Sequence, residues 1–199
     1  MADYTALAEA GEGLVELLRD HLTPEPISKR ELISLCSPHE SENNQLTVYL
    51  FHIEEDQQNA SGGYVQQSRD LQRMSPSRFN LSFLITAHSK APVQLREADQ
   101  YRMLGAAIQV LKDHPLLEQQ YLGGSLADTN AVIHLSVERP NFEQMTKIWS
   151  NTSKPYKLSI VCKASGVVLD SKRTRRVSRI TDVQIDVAQR TPPRERSGL

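Results

Sequence analysis

Metal centres, nucleophiles and reactive thiolates each require particular side chains at particular spacings, and six histidines and two cysteines can be tested against those requirements. The histidines are His21, His39, His52, His88, His114 and His134. No two of them stand four residues apart on a helix, and none joins a local Cys/His cluster of the kind a zinc ion selects. His52, His88 and His134 fall on or beside strand-like stretches, where a hydrogen-bonded structural histidine is the favoured reading. Cys36 and Cys162 are too few for a disulfide framework and read as thiols of a reducing compartment. Neither has a basic neighbour in sequence that would mark a reactive thiolate. Gly123-Gly124-Ser125 is a turn before a strand and lacks the G-x-S-x-G form of a nucleophile elbow. Gly11 and Gly13 lie within a helical stretch rather than between strand and helix, which argues against a dinucleotide loop, and no phosphate loop is present. Glu54-Glu55-Asp56 has the charge to hold a divalent cation, but a solvated strand end is the simpler reading. The residues thus assign no catalytic, metal-ligating or cofactor-binding position, and neither a cofactor nor an enzyme activity is expected.

Charge offers a different kind of chemistry. The run Lys172–Arg179 reads KRTRRVSR and brings together Lys172, Arg173, Arg175, Arg176 and Arg179. The whole chain has a formal net charge of −1, yet eight Arg/Lys face three Asp/Glu from Ser171 to Leu199, leaving +5 there and −6 over the first 170 residues. A cytoplasmic nucleic-acid-binding protein acting through phosphate contacts of the 172–179 run is one reading. Against it, the run contains no aromatic residue and no recognition motif, and the chain is nearly neutral. A solvated linker, or a basic patch meeting an acidic neighbouring subunit, fits better. The next stretch, Thr181–Val187, alternates strictly, with Val183, Ile185 and Val187 on one side. An amphipathic strand on a basic linker is suited to adding itself to the sheet edge of another chain. These eight residues, from Lys172 to Val187, are the expected partner-binding positions.

The elements that would carry them follow from periodicity. At 199 residues, with 39% hydrophobic and 24% charged residues, the chain has the size and composition of one domain with a sizeable core. No apolar run approaches the roughly 20 residues needed to span a bilayer. The acidic opening MADYTALAEAGEG lacks the pattern of a secretory signal, so synthesis and folding in the cytoplasm are expected. Spacing by three and four predicts a helix over 5–20, with Leu14 on its apolar stripe, and a second over 96–113 with Tyr101, Leu104, Gly105, Ile108 and Leu111 on one face. Residues 27–37 carry a capping-box spacing, Ser28 with Glu31, but suit a short edge strand better. LTVYLFHI (46–53) and FNLSFLITA (79–87) read as strands covered on both faces, placing Leu50 and Leu84 in the core. Between them, residues 54–78 lack periodicity and read as a mobile surface excursion. AVIHLSVE (131–138) is a further strand. Asn141 caps a short helix with Gln144 as its reciprocal partner, and Phe142, Met145, Ile148 and Trp149 form its apolar face. A strand from Tyr156 to Ala164 then puts Tyr156 and Leu158 on its inner side. The predicted core thus comprises Leu14, Leu50, Leu84, Leu104, Ile108, Trp149, Tyr156 and Leu158. The fold class is α+β, a mixed and mostly antiparallel sheet covered by helices with an extended C-terminal strand-like arm. Residues 1–170 form the domain, and 171–199 a basic linker, arm and frayed tail.

Three blocks in this order carry a resemblance. The first is LTVYLFHIEED, a strand ending in an acidic turn; the second spans FNLSFLITAHS to YRMLGAAIQVLKDHPLL; the third is Ile148-Trp149-Ser150 leading into Pro155-Tyr156-Lys157-Leu158-Ser159. Together they cover most of residues 5–170 and resemble the tail-terminator, or cap, proteins of phage-tail-like extracellular contractile injection systems of the antifeeding-prophage type. Two departures stand out. QQNASGGYVQQ replaces the Pro-rich, Arg-Asn-containing stretch expected after Glu54, and the chain ends where some relatives continue into larger C-terminal domains. The resemblance implies a non-enzymatic assembly protein that forms a homohexameric ring. Such a ring caps the distal end of the tail, stops polymerisation of inner tube and sheath, and stabilises the particle. Its implied partners are the tube and sheath proteins of the same particle, with no membrane and no nucleic acid. Assembly would take place in the cytoplasm, and the finished particle can then be released from the cell.

Overall fold

The computed structural model describes residues 2–39, 43–57, 62–129, 131–150 and 155–177. In chain order the elements are α1 (Ala6–Leu22), β1 (Ile33–Leu35), β2 (Leu46–Glu55), β3 (Tyr64–Gln66), β4 (Leu71–Met74), β5 (Ser77–Ala87), α2 (Val93–Asp113), β6 (Leu116–Leu117), α3 (Gly124–Ala127), β7 (Ile133–Glu138), α4 (Phe142–Ser150), β8 (Ser159–Leu169) and β9 (Thr174–Arg176). Six strands form the main sheet in the order β1-β2-β5-β8-β7-β6, and three form a small sheet in the order β3-β4-β9. Every pairing is antiparallel except that of β1 with β2, so the architecture is α+β with a mixed, mostly antiparallel sheet.

Alternation along the central strands assigns the two faces. Leu81, Phe83, Ile85 and Ala87 of β5 join Leu46 and Val48 of β2 and Cys162 and Ala164 of β8 in the main core, under α1 and α2. On the other face Leu84 and Val161 meet Met145 and Trp149 of α4 in a smaller cluster. Helix α1 is the most enclosed, and its two buried glycines explain how it gets so close. A β-carbon at Gly13 would stand 2.6 Å from the carbonyl oxygen of Tyr121, and one at Gly11 would stand 3.1 Å from Leu35. Helix stability given up at Gly13 is exchanged for backbone-to-backbone packing. Arg19 of α1 donates to the carbonyl of Ile33 at 3.0 and 2.7 Å, satisfying an acceptor on the edge strand β1.

Several expectations change. Residues 27–37 contain a 3-10 turn, Arg30–Leu32, and then β1, so each alternative describes a part. The stretch 54–78 is not one aperiodic excursion: β2 extends to Glu55, β5 begins at Ser77, and β3 and β4 pair between them. Both strands are short and mix polar with apolar residues, so neither carries an alternating apolar signal. Helix α2 starts at Val93 and buries Met103, Leu104, Ala107, Val110 and Leu111. The expected face is rotated, because only the C-terminal half of α2 packs on the body; Tyr101 is 54% exposed and Ile108 is partly buried.

Leu14, Leu84, Leu104 and Trp149 are buried, and Leu50 packs against the core from its margin. Tyr156 and Leu158 are not core residues: they are 44% and 45% exposed. β8 begins only at Ser159, opposite Thr86, one residue before β5 ends at Ala87. No strand therefore extends over Tyr156 and Leu158, and their alternation with Ile160 has no sheet to bury it. Phe142, expected on the apolar face of α4, is 76% exposed. The cap of α4 is as expected, with Asn141 N–H donating to Gln144 Oε1 at 2.9 Å and Gln144 N–H to Asn141 Oδ1 at 2.8 Å.

Candidate assembly interface

The side chains capable of chemistry are dispersed by this fold. His88 is buried, with Nε2 3.0 Å from Thr47 Oγ1 and Nδ1 2.9 Å from Lys157 Nζ. An ammonium can only donate, so Nδ1 accepts and Nε2 carries the proton, as in a structural histidine. His39 stands edge-on to Trp149, His21 stacks on His114 with ring centroids 4.2 Å apart, and His52 and His134 are exposed. Burial pushes the Cys162 thiol up to about 12, and Cys36 lies within 3.2 Å of Ser34 Oγ and 3.3 Å of Asn44 Nδ2. Glu54 reaches Lys163 at 3.8 Å. Among the described residues no group of three His, Cys, Asp or Glu is placed to hold a metal ion. No helix among them is long and apolar enough to cross a membrane.

What the fold does concentrate is the basic run. Residues 171–177 are not a free linker. β9 pairs with β4 in the register Leu71↔Arg176, Gln72↔Arg175 and Arg73↔Thr174. Beyond the strand ends, Met74 N–H donates to the Arg173 carbonyl and Val177 N–H to the Asp70 carbonyl, each at 2.9 Å. The small sheet therefore continues the β5–β8 pair as a ribbon, and the sequence-based division after residue 170 falls at its root.

That root is tied to the N-terminus. Asp170 N–H donates to the Ala2 carbonyl at 3.0 Å, Arg73 reaches the Asp170 carboxylate at 3.6 Å and donates to the Ser171 carbonyl, and Lys172 Nζ lies 3.1 Å from Asp3 Oδ1. The backbone N–H of Tyr4, then Lys172, holds the Asp3 carboxyl below its usual range. Arg175 donates to Gln72 Oε1 at 2.9 Å and lies 4.0 Å over the Tyr64 ring, a cation–π contact that fixes an otherwise mobile guanidinium.

Of the expected partner-binding residues, the structure thus gathers Lys172, Arg173, Arg175 and Arg176 on one exposed ribbon, with Arg69 beside them at the β3–β4 turn. Arg179, Val183, Ile185 and Val187 lie outside the described residues. Tyr64, Gln72 and Arg73, which no sequence pattern marked, complete the ribbon. Their signal was a pairing with residues 174–176, far downstream, which local periodicity cannot register.

Comparison with known proteins places this architecture. In the cryo-EM structure of the sheath/tube terminator of an extracellular contractile injection system, PVC, in its extended state, one chain matches 96% of this chain with a TM-score of 0.68 and 14% sequence identity. In the cryo-EM structure of the anti-feeding prophage cap, its tube-terminating cap, a chain matches 89% of this one with a TM-score of 0.55 and 16% identity. This chain spans less than two thirds of either, 66% and 60% of their lengths, and at these identities what is shared is the fold. No curated protein sequence matches. A family model, the Pvc16 N-terminal domain, matches residues 9–182, most of the chain. On that match, the chain belongs to the Pvc16 N-terminal domain family.

Proposed function

We propose that this chain is a structural assembly protein that caps the distal end of a contractile injection system tail, terminates growth of tube and sheath, and stabilises the finished particle. The observation that carries this reading is the shared fold along 96% of the chain with a sheath/tube terminator. As the working unit we propose a ring, a homohexamer matching a six-fold tube, built by head-to-tail contacts that close by rotation. It assembles in the cytoplasm, contacts the tube protein on one side and the sheath protein on the other, and leaves the cell only with the particle. In this reading the basic ribbon, Lys172–Arg176, meets an acidic surface of a neighbouring subunit, and the segment 178–199 is the arm that reaches a partner. The test is electron microscopy of particles produced with and without this chain: loss of length control in its absence supports capping, and normal particles would exclude it.

One observation favours a second reading. The Tyr64 ring lies under Arg175, so the basic ribbon is not without an aromatic neighbour, and aromatic–arginine pairs also serve single-stranded nucleic acid. Retention of nucleic acid with a steep salt dependence by a monomeric chain would favour this reading. A stable oligomer that releases nucleic acid at moderate salt favours the cap.

A further inference from the structure

The residues displaced from the predicted core line a surface that has its own chemistry. Tyr156 and Leu158 face the overhanging first half of α2 across an open groove in which Tyr101 is also exposed. The apolar surface continues to Phe142, whose ring centroid lies 6.1 Å from that of Tyr156. Among the described residues, three cations, Lys90, Arg96 and Lys157, line the same groove with one carboxylate, Glu97. Lys157 is braced by His88 at 2.9 Å. An occupant must therefore present apolar side chains together with carboxylates.

This sequence contains such a segment. In Thr181–Val187, Val183, Ile185 and Val187 alternate with Asp182, Gln184 and Asp186, so an extended chain shows branched apolar groups on one side and two carboxylates on the other. The distance decides whose groove it can fill. β8 runs eleven residues from Ser159, beside the groove, to Leu169, a length of roughly 33 Å. The ribbon begins at that far end and is tied there to Ala2, Asp3 and Asp170, while its strands pack on one another rather than back along the sheet. From Val177, the last described residue, six residues of fully extended chain reach Val183 at no more than about 21 Å. Val183, the first apolar residue of the segment, therefore falls short of the groove of its own copy.

We infer that residues 181–187 of one copy dock in the Tyr101–Tyr156–Leu158 groove of a second copy, with Asp182 and Asp186 facing Lys90, Arg96 and Lys157. The contact rests on the assembly reading above and gives it a direction. Donor segment and acceptor groove are different surfaces of each copy, so the interface is heterologous and can propagate around a ring.

A charge-reversal cycle on the full-length chain tests it by sedimentation velocity across a concentration series. Lys90 and Arg96 are exposed, so K90E/R96E keeps the native circular dichroism spectrum while self-association weakens about tenfold or more. Adding D182R/D186R to that variant restores association to within about threefold of the original, because the charges are again opposite. If K90E/R96E leaves association unchanged, the groove is not the interface and the inference fails, while the assembly reading stands. Association lost in K90E/R96E and not restored by D182R/D186R also overturns it, since another segment then fills the groove. A chain that is monomeric at every concentration before any substitution removes the self-assembly reading and this contact together.

Discussion

At the residue scale, two glycines, a carboxylate and a buried thiol have measurable consequences. Gly13 and Gly105 are both helical glycines, but their surroundings are opposite: Gly13 faces the Tyr121 carbonyl, whereas nothing lies within 4 Å of a β-carbon at Gly105. Gly13→Ala is expected to destabilise the domain by about 1–3 kcal/mol through overpacking. Gly105→Ala is expected to stabilise it by roughly 0.5–1 kcal/mol through helix propensity. Urea denaturation of the two variants measures both signs. Burial alone would raise the Glu9 pKa, but hydrogen bonds from Thr5, from the Ser125 and Leu126 backbone (Leu126 N–H at 2.8 Å) and from Ser125 Oγ at 2.9 Å together lower it from the usual 4.5. A lowered folded-state pKa makes this contribution complete above pH 4.5 and removes it as the pH falls through the folded value. Denaturation between pH 7 and pH 3 should show that loss, and Glu9→Gln should flatten the profile in this range. Cys162, pushed to about 12 by burial, should resist iodoacetamide at pH 8 in the native protein while Cys36, which is only partly buried, is alkylated. Mass spectrometry of the labelled chain reads this directly, and native labelling of Cys162 would mean that the centre of the sheet opens.

At the scale of elements, the ribbon and α4 give the sharpest expectations. A chain ending at residue 177 retains β9, and its β4 amides should stay protected in hydrogen exchange; a chain ending at residue 170 loses β9, and Gln72 and Met74 should exchange rapidly. Trp149 fills the small cluster against Leu84 and Val161, so Trp149→Ala should cost about 3 kcal/mol. Phe142→Ser, at an exposed position of the same helix, should change stability by less than about 0.5 kcal/mol. Elements whose signal is local were legible in the sequence: the capped α4, the strands β2 and β5, and α1 with its apolar stripe; the expectation that β2 is covered on both faces holds only for Leu46–Val48, since Tyr49 and Ile53 are exposed. Those that depend on distant partners were not. β3 and β4 have no apolar alternation, and their order comes from pairing with each other and with Thr174–Arg176. Tyr156 and Leu158 alternate correctly for a strand, but the neighbouring strand ends before it can cover them. A residue's periodicity tells which side it faces; whether anything covers that side is decided by the rest of the fold.

For the whole molecule, the helices and sheet form a body from which a basic ribbon projects and on which a cationic, aromatic groove stays open at the opposite end of β8. The formal charges follow the same division, −6 over residues 1–170 and +5 over 171–199. The order of three sequence blocks pointed to the family in which the chain belongs, because strand and helix order persists where identity to the solved terminators has fallen to 14% and 16%. The ribbon and the groove were not legible, since each joins segments far apart in sequence. Ending the growth of a contractile tail is the role proposed for this chain. The most direct measurement is the length distribution of tube and sheath in electron micrographs of particles assembled with and without it. A narrow distribution of lengths is expected with the chain present, and overlong or unstable, variable tubes without it, restored by supplying the full chain. Particles of unchanged length and stability in its absence would contradict it.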